Sequence, residues 1–183
     1  MITTIIIIAV VAVLVLWIIS SQRKLVNAEE LTKNAMSQIG VQQSSRWDAL
    51  SALVELLKSY NEHEYNTLKD VIASRANIDA NSTAAQAQAQ DDAFSAAMQK
   101  LSVVVERYPE LKADSMYNKT MDSVNQYENQ VRLARMTYND SVTRYNRLTR
   151  QIPDSIVASL FHFSEKQYLQ EDTAKKDMPS LKI

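Results

Sequence analysis

The chain contains no cysteine, one glycine and three prolines in 183 residues. The missing cysteine excludes disulfides, thiol nucleophiles and cysteine-ligated zinc or iron–sulfur sites. A single glycine leaves no phosphate-cradling loop, and with so few prolines there is too little turn punctuation for a β-rich or loop-rich fold. Charge of one sign is also missing. Against 20 Lys and Arg stand 21 Asp and Glu, so there is no basic surplus to hold nucleic acid. Histidine occurs twice. His63 lies between Glu62 and Glu64, but neighbours on a helix point about 100° apart and do not converge on one ion. A di-iron bundle needs Glu three residues before each His, where this chain has Tyr60 and Ser159, and no His-Glu-x-x-His occurs. The serines lack a nucleophile-elbow motif. No catalytic, cofactor or metal site is expected.

What is present is helix-forming: Ala, Leu, Gln, Glu, Lys and Arg. The expected class is all-α. One stretch dominates, Ile2 to Ile19, with no charge, proline or glycine. Eleven of its eighteen residues are Ile or Val, which in water favour strand, but the run is far longer than a strand and lipid leaves a lone segment only the helix. Its thirteen Ile, Val and Leu contribute roughly −4 to −8 kcal/mol to insertion. A cleaved signal peptide would carry a basic start and small residues before the cut, whereas Ile18 occupies that place for a cut after Ser20. The run therefore reads as a retained transmembrane anchor, residues 1–21. Arg23 and Lys24 follow it directly, so the positive-inside rule places the N-terminus outside and the remainder in the cytoplasm.

Residues 22 to 163 suffice for one helical domain with a real core. Leu25, Ala28, Leu31, Ala35 and Ile39 carry the membrane helix onward at 3/4 spacing. Gly40 and residues 42–45 weaken it, and Asp48 is placed to cap a second helix with a stripe of Leu50, Leu53, Val54, Leu57, Tyr60, Leu68, Val71 and Ile72. The alternative is one long kinked rod. Thr83 and Gln86 have capping-box spacing for a third helix, which Pro109 ends. A fourth, Leu111 to Gln151, shows a coiled-coil heptad seam: Tyr117-Asn118, Val124-Asn125, Val131-Arg132, Tyr138-Asn139 and Tyr145-Asn146. Forty residues of helix measure about 60 Å, so the expected architecture is an elongated antiparallel (up-down) four-helix bundle. Pro153 closes the fourth helix, and Ile156, Val157, Leu160 and Phe161 form a short amphipathic one. Residues 164–183 read as a loosely ordered tail.

Glu128 and Arg135 interrupt the apolar seam. With Asn139 and Asn146, and with Glu64 and Arg75 from the second helix, they form a candidate polar core network. In bundles such residues more often fix register than bind ligands. In an up-down bundle the fourth helix returns toward the membrane. That brings Arg144, Arg147, Arg150 and then Phe161 to the lipid surface as candidate membrane contacts.

The stretch Arg46-Trp47-Asp48-Ala49-Leu50-Ser51-Ala52-Leu53-Val54-Glu55, with Lys58, Tyr60, His63, Glu64 and Ala73-Ser74-Arg75, is one signature. Tyr108-Pro109-Glu110-Leu111-Lys112-Ala113, with Glu128-Asn129, Ala134-Arg135, Tyr138-Asn139, Val142, Tyr145-Asn146, Pro153 and Ile156-Val157-Ala158, is another. In order and spacing the chain resembles the LemA family of bacterial membrane proteins over nearly its whole length. It departs at Ser51-Ala52, where the family has Pro-Asn, at Gly40, where it usually has Asp, and at His162, where it has Gly. The resemblance implies an anchored antiparallel helical bundle and supplies no reaction.

The function expected is therefore that of a non-enzymatic, single-pass membrane protein. Its partners are the lipid bilayer and either another protein or a second copy of itself, and not nucleic acid. The rival is a ligand-binding or enzymatic module built on the polar pocket around Glu128 and Arg135.

Overall fold

The structure is a computed structural model that describes residues 1–73 and 75–170. Among these there is no strand, and six helices follow one another: α1 (Ile2–Leu57), α2 (Glu62–Ala73), α3 (Ala84–Glu106), α4 (Pro109–Ala113), α5 (Ser115–Arg150) and α6 (Asp154–Leu160). Helix α1 is about 84 Å long at 1.5 Å per residue. Its first fifteen residues make no packing contact that removes them from the surface, and the apolar run they open, residues 2–19, has the length and apolar character of a bilayer span.

Helices α1 and α5 run antiparallel, since Met36 and Ile39 pack with Val142 while Arg46, further along α1, meets Glu128, earlier in α5. Beside the far half of α1, α2 descends and α3 ascends. Arg75 at the end of α2 reaches back to Asp48, and successive α3 residues Ala87 and Asp91 meet Gln43 and Arg46. Three apolar clusters are strung along the rod. The distal one joins Trp47, Leu53 and Leu57 to Phe94, Leu101 and Val124. The middle one joins Met36 and Ile39 to Ala87, Val142 and Leu169, and the proximal one packs Leu25 on Val157 and Ala158. The section of the fold is uneven: α2 and α3 cover only the distal half, and the proximal half is closed by α6 and by the chain after it.

The break expected between Gly40 and Asp48 is absent, and α1 is one unbroken rod through Leu57. A helical glycine costs only about 1 kcal/mol, which the burial of Ile39 and Trp47 on either side outweighs. Gly40 is there for close approach. A Cβ built on it would lie 2.8 Å from the Ile78 carbonyl carbon and nearer still to its oxygen, so only glycine admits the α2–α3 loop against α1. Asp48 caps nothing and pairs in mid-helix with Arg75 at 2.6 Å. The real break falls at residues 58–60, and Tyr60 leaves the apolar stripe for that turn. Asn61 caps α2, its Oδ1 accepting from the amides of His63 (2.9 Å) and Glu64 (3.2 Å).

Helix α3 starts on the expected capping box: the Gln86 amide donates to Thr83 Oγ1 at 3.2 Å and the Thr83 amide to Gln86 Oε1 at 2.8 Å. The expected fourth helix is divided. Pro109 opens the short α4, and Asp114 caps α5 by accepting from the Met116 amide at 2.6 Å. Residues 164–170, assigned to the tail, instead lie as an extended strap in the α1–α5 groove with Leu169 buried. Residues 171–183 of that tail lie outside the described residues.

Candidate functional site

Midway along the rod, where α1, α3 and α5 face one another, the heptad seam of α5 has no apolar residue at Glu128 or Arg135. The space is taken by charge from all three helices. Arg46 of α1, 2% exposed, sends one guanidinium nitrogen to Asp91 Oδ1 of α3 at 2.5 Å and another to Glu128 Oε2 of α5 at 2.6 Å. Asp91 uses its other oxygen for Arg135, and Oδ1 also accepts from Gln43 Nε2 at 2.9 Å. Gln88 Oε1 accepts from Arg135 at 2.7 Å, and the backbone carbonyl of Gln170 in the strap takes a further bond from the same side chain. Arg46 therefore bridges two helices, and Asp91 ties both arginines together.

Burial pushes the Arg46 guanidinium below its ordinary range, and the charge of Glu128 and its hydrogen bond work against that shift. The guanidinium carbon also sits over the Phe94 ring, 4.0 Å from its centroid, while Trp47 meets the same ring edge-on at 5.3 Å. An aromatic face plus two carboxylates replaces the water that a buried cation has lost. Arginine suits this place because its planar fork addresses two acids at once.

The network forms the floor of a cleft between α3 and α5 of about 580 Å³. Its walls carry both signs of charge, with Asp92 and Asp140 beside Arg132 and Arg135, and Val131 and Met136 are the apolar part of the lining. Met136 is 59% exposed at this surface.

The residues singled out in the sequence are not all brought together. Glu128 and Arg135 both belong to the cleft, joined through Arg46 and Asp91 rather than to one another. Asn139 lines the cleft, but its amide, like that of Asn146 one heptad further on, holds the strap. Glu64 is elsewhere, 3.2 Å from Arg107 near the distal end, and Arg75 is engaged with Asp48. Arg144, Arg147 and Arg150 lie exposed at the proximal end of α5, Arg150 3.1 Å from Glu165, and Phe161 is half-exposed beyond them.

Arg46 and Gln43 enter the sequence reading only as part of the LemA-like signature and of the polar stretch 42–45, and Asp91 does not enter it, so none of the three is expected in the network. Arg46 stands between Ile39 and Leu53 at a spacing that continues the stripe Leu25, Ala28, Ala35, Ile39. A long cation on an apolar face was the available signal for a buried ion pair. His63 and His162 line no part of the cleft. No cluster of potential metal ligands occurs among the described residues.

No curated protein matches the chain. The family model for LemA, described as the LemA family, matches residues 35–183, a span that takes in the charged network, the two α5 asparagines that hold the strap, and α6. The chain belongs to the LemA family.

Proposed function

We propose that this LemA-family chain is a non-enzymatic, single-pass membrane protein whose helical domain holds partner proteins beside the bilayer. Ile2–Ile19 crosses the membrane with the N-terminus outside, and the domain lies in the cytoplasm. The apolar run supports the membrane part, because so long an uncovered apolar surface is not stable in water. Arg23 and Lys24, directly after the run, support the orientation.

The observation that carries the partner-holding role is the cleft between α3 and α5. It is walled by charges of both signs, opens at the surface of the rod, and offers Met136 as an adaptable apolar contact. The acid at its centre, Asp91, spends its lone pairs on two guanidinium groups and a glutamine amide, so it is not presented to a substrate as an acid or base. A photo-crosslinking residue in place of Met136, used in intact cells, tests the role. A reproducible protein adduct, or a homodimer, that is missing when the crosslinker replaces Val103 supports it. Recovery no better than at Val103 across growth conditions overturns it.

One observation favours a second reading. The cleft volume falls within the roughly 300–1,000 Å³ of small-molecule sites, which fits a ligand-binding module. A small molecule that raises the melting temperature by several degrees, with the rise abolished by Glu128→Gln, would replace the first reading with this one.

A further inference from the structure

The corner after α5 and the short α6 leave four large apolar side chains in the open: Ile152 (83% exposed), Ile156 (60%), Leu160 (64%) and Phe161 (49%). Ile156 and Leu160, four residues apart, share one face of α6. Val157 and Ala158 occupy the opposite side and are buried on Leu25. That packing also fixes the level of α6 along the rod. Trp17 and Ile18, the last turn of the apolar run, are packed against the same cluster. Ser21 Oγ donates to Asp154 Oδ1 at 2.6 Å, and Lys24 Nζ lies 4.0 Å from the other oxygen of that carboxylate. α6 thus lies at the level of the rod where the exposed apolar run ends, so a bilayer that holds the run has its interface beside α6.

We propose that α6 and its preceding corner are a second membrane contact, lying in the interface of the leaflet from which α1 emerges. Ile152, Ile156, Leu160 and Phe161 enter the headgroup–acyl boundary as the apolar face of an in-plane helix. The charge around them fits such a surface. Lys24, Arg147 and Arg150 lie on the corner side and Arg23 at the same level on the far side of α1, and of the nearby acids Asp154 faces Lys24 and Glu165 faces Arg150. An anionic headgroup region therefore meets a net basic collar with its acids already engaged. The consequence is mechanical: fastened to the bilayer at both α1 and α6, the rod stands at a set tilt instead of swivelling on a single helix. This inference rests on the reading of Ile2–Ile19 as a bilayer span.

Because the chain has no cysteine, single-cysteine variants carry one nitroxide label each. The full chain is reconstituted in nanodiscs of phosphatidylcholine and phosphatidylglycerol with a label at Val11→Cys, Leu160→Cys, Ile156→Cys or Val103→Cys. Collision with oxygen is compared with collision with a water-soluble nickel chelate. The expected oxygen-to-nickel ratio at residues 156 and 160 is several-fold above that at residue 103, at the opposite end of the fold, and approaches the ratio at residue 11. A ratio at 156 and 160 equal to that at 103, with residue 11 in lipid, overturns the second contact and leaves the span standing. A water-like ratio at residue 11 as well overturns the span itself.

Discussion

Asn146 and Lys166 exchange two hydrogen bonds: the Asn146 amide nitrogen donates to the Lys166 carbonyl at 2.9 Å, and the Lys166 amide donates back to Asn146 Oδ1 at 2.9 Å. Asn139 repeats the exchange with Leu169 at 3.0 and 2.9 Å. The two registers match. Seven helical residues rise about 10.5 Å and three extended residues about 10 Å, so asparagines one heptad apart meet every third residue of the strap. Each carboxamide does for the strap what a neighbouring strand would do, and Leu169 is thereby held in the α1–α5 core.

Asn146→Ala should therefore release the strap locally rather than unfold the rod. The loss of two hydrogen bonds, with a half-buried amide and carbonyl left behind, costs about 1–3 kcal/mol. Hydrogen exchange reads the effect: the Lys166 and Leu169 amides should exchange faster while those of α3 keep their protection. Unchanged exchange at both would show that the strap holds without the clamp.

Asp91→Leu should be the most damaging single change in the charged site. It strips Arg46 of its shortest partner and leaves a buried cation, at a cost of about 3–5 kcal/mol. Adding Arg46→Met should restore much of that stability, since an unbranched apolar side chain over Phe94 needs no counter-ion. Glu128→Gln, at a carboxylate 39% exposed, should cost less than Asp91→Leu. Thermal unfolding in detergent, followed by circular dichroism, ranks the three; a double variant as unstable as Asp91→Leu alone would refute the coupling.

At Gly40 two effects of opposite sign compete. Gly40→Ala gains about 1 kcal/mol of helix propensity. The new methyl group, however, meets the Ile78 carbonyl, which is backbone and not the end of a flexible side chain, and such crowding costs about 1–3 kcal/mol or more. A net loss of stability is expected, with faster exchange of the loop amides between Ala76 and Ser82. A variant more stable than the parent would mean that the loop yields easily.

Tyr145, buried between α1 and α5, has its phenol pushed up to about 12, chiefly by burial and secondarily by the carboxylate of Glu29. An unfolded tyrosine ionises near pH 10. Since the folded value is the higher one, this contribution to stability is complete below about pH 10 and is lost as pH rises toward about 12. Melting temperatures measured across that window should fall less steeply in Tyr145→Phe than in the parent. Parallel curves would sink the assignment.

The orientation proposed for the anchor makes its own prediction. In intact cells a membrane-impermeant thiol reagent should modify a cysteine placed at Thr3 and spare one placed at Asn81, which lies in the exposed α2–α3 loop. Modification at residue 81 would put the domain on the outer side.

Local chemistry by itself determined the helical class, the apolar run, the Thr83 cap, the stop near Pro109 and the α5 seam. Each of these follows from a few neighbouring residues: hydrophobic period, a hydroxyl three residues before a glutamine, a ring that bars the α region. Even Glu128 and Arg135 stood out, as polar residues at apolar positions. Tertiary structure decided what local signals cannot carry. Gly40 looks like a helix breaker to its neighbours and becomes a contact point only because a loop some forty residues later crosses it. Asp48 looks like a cap until Arg75 arrives, and Arg46 looks like a surface cation until Phe94, Asp91 and Glu128 close around it. The asparagines of α5 carry no mark of the strap they hold, because their partners are backbone groups and any sequence displays those. Pairings between residues distant in the chain are chosen by which surfaces must be buried together, and that is a property of the assembled rod.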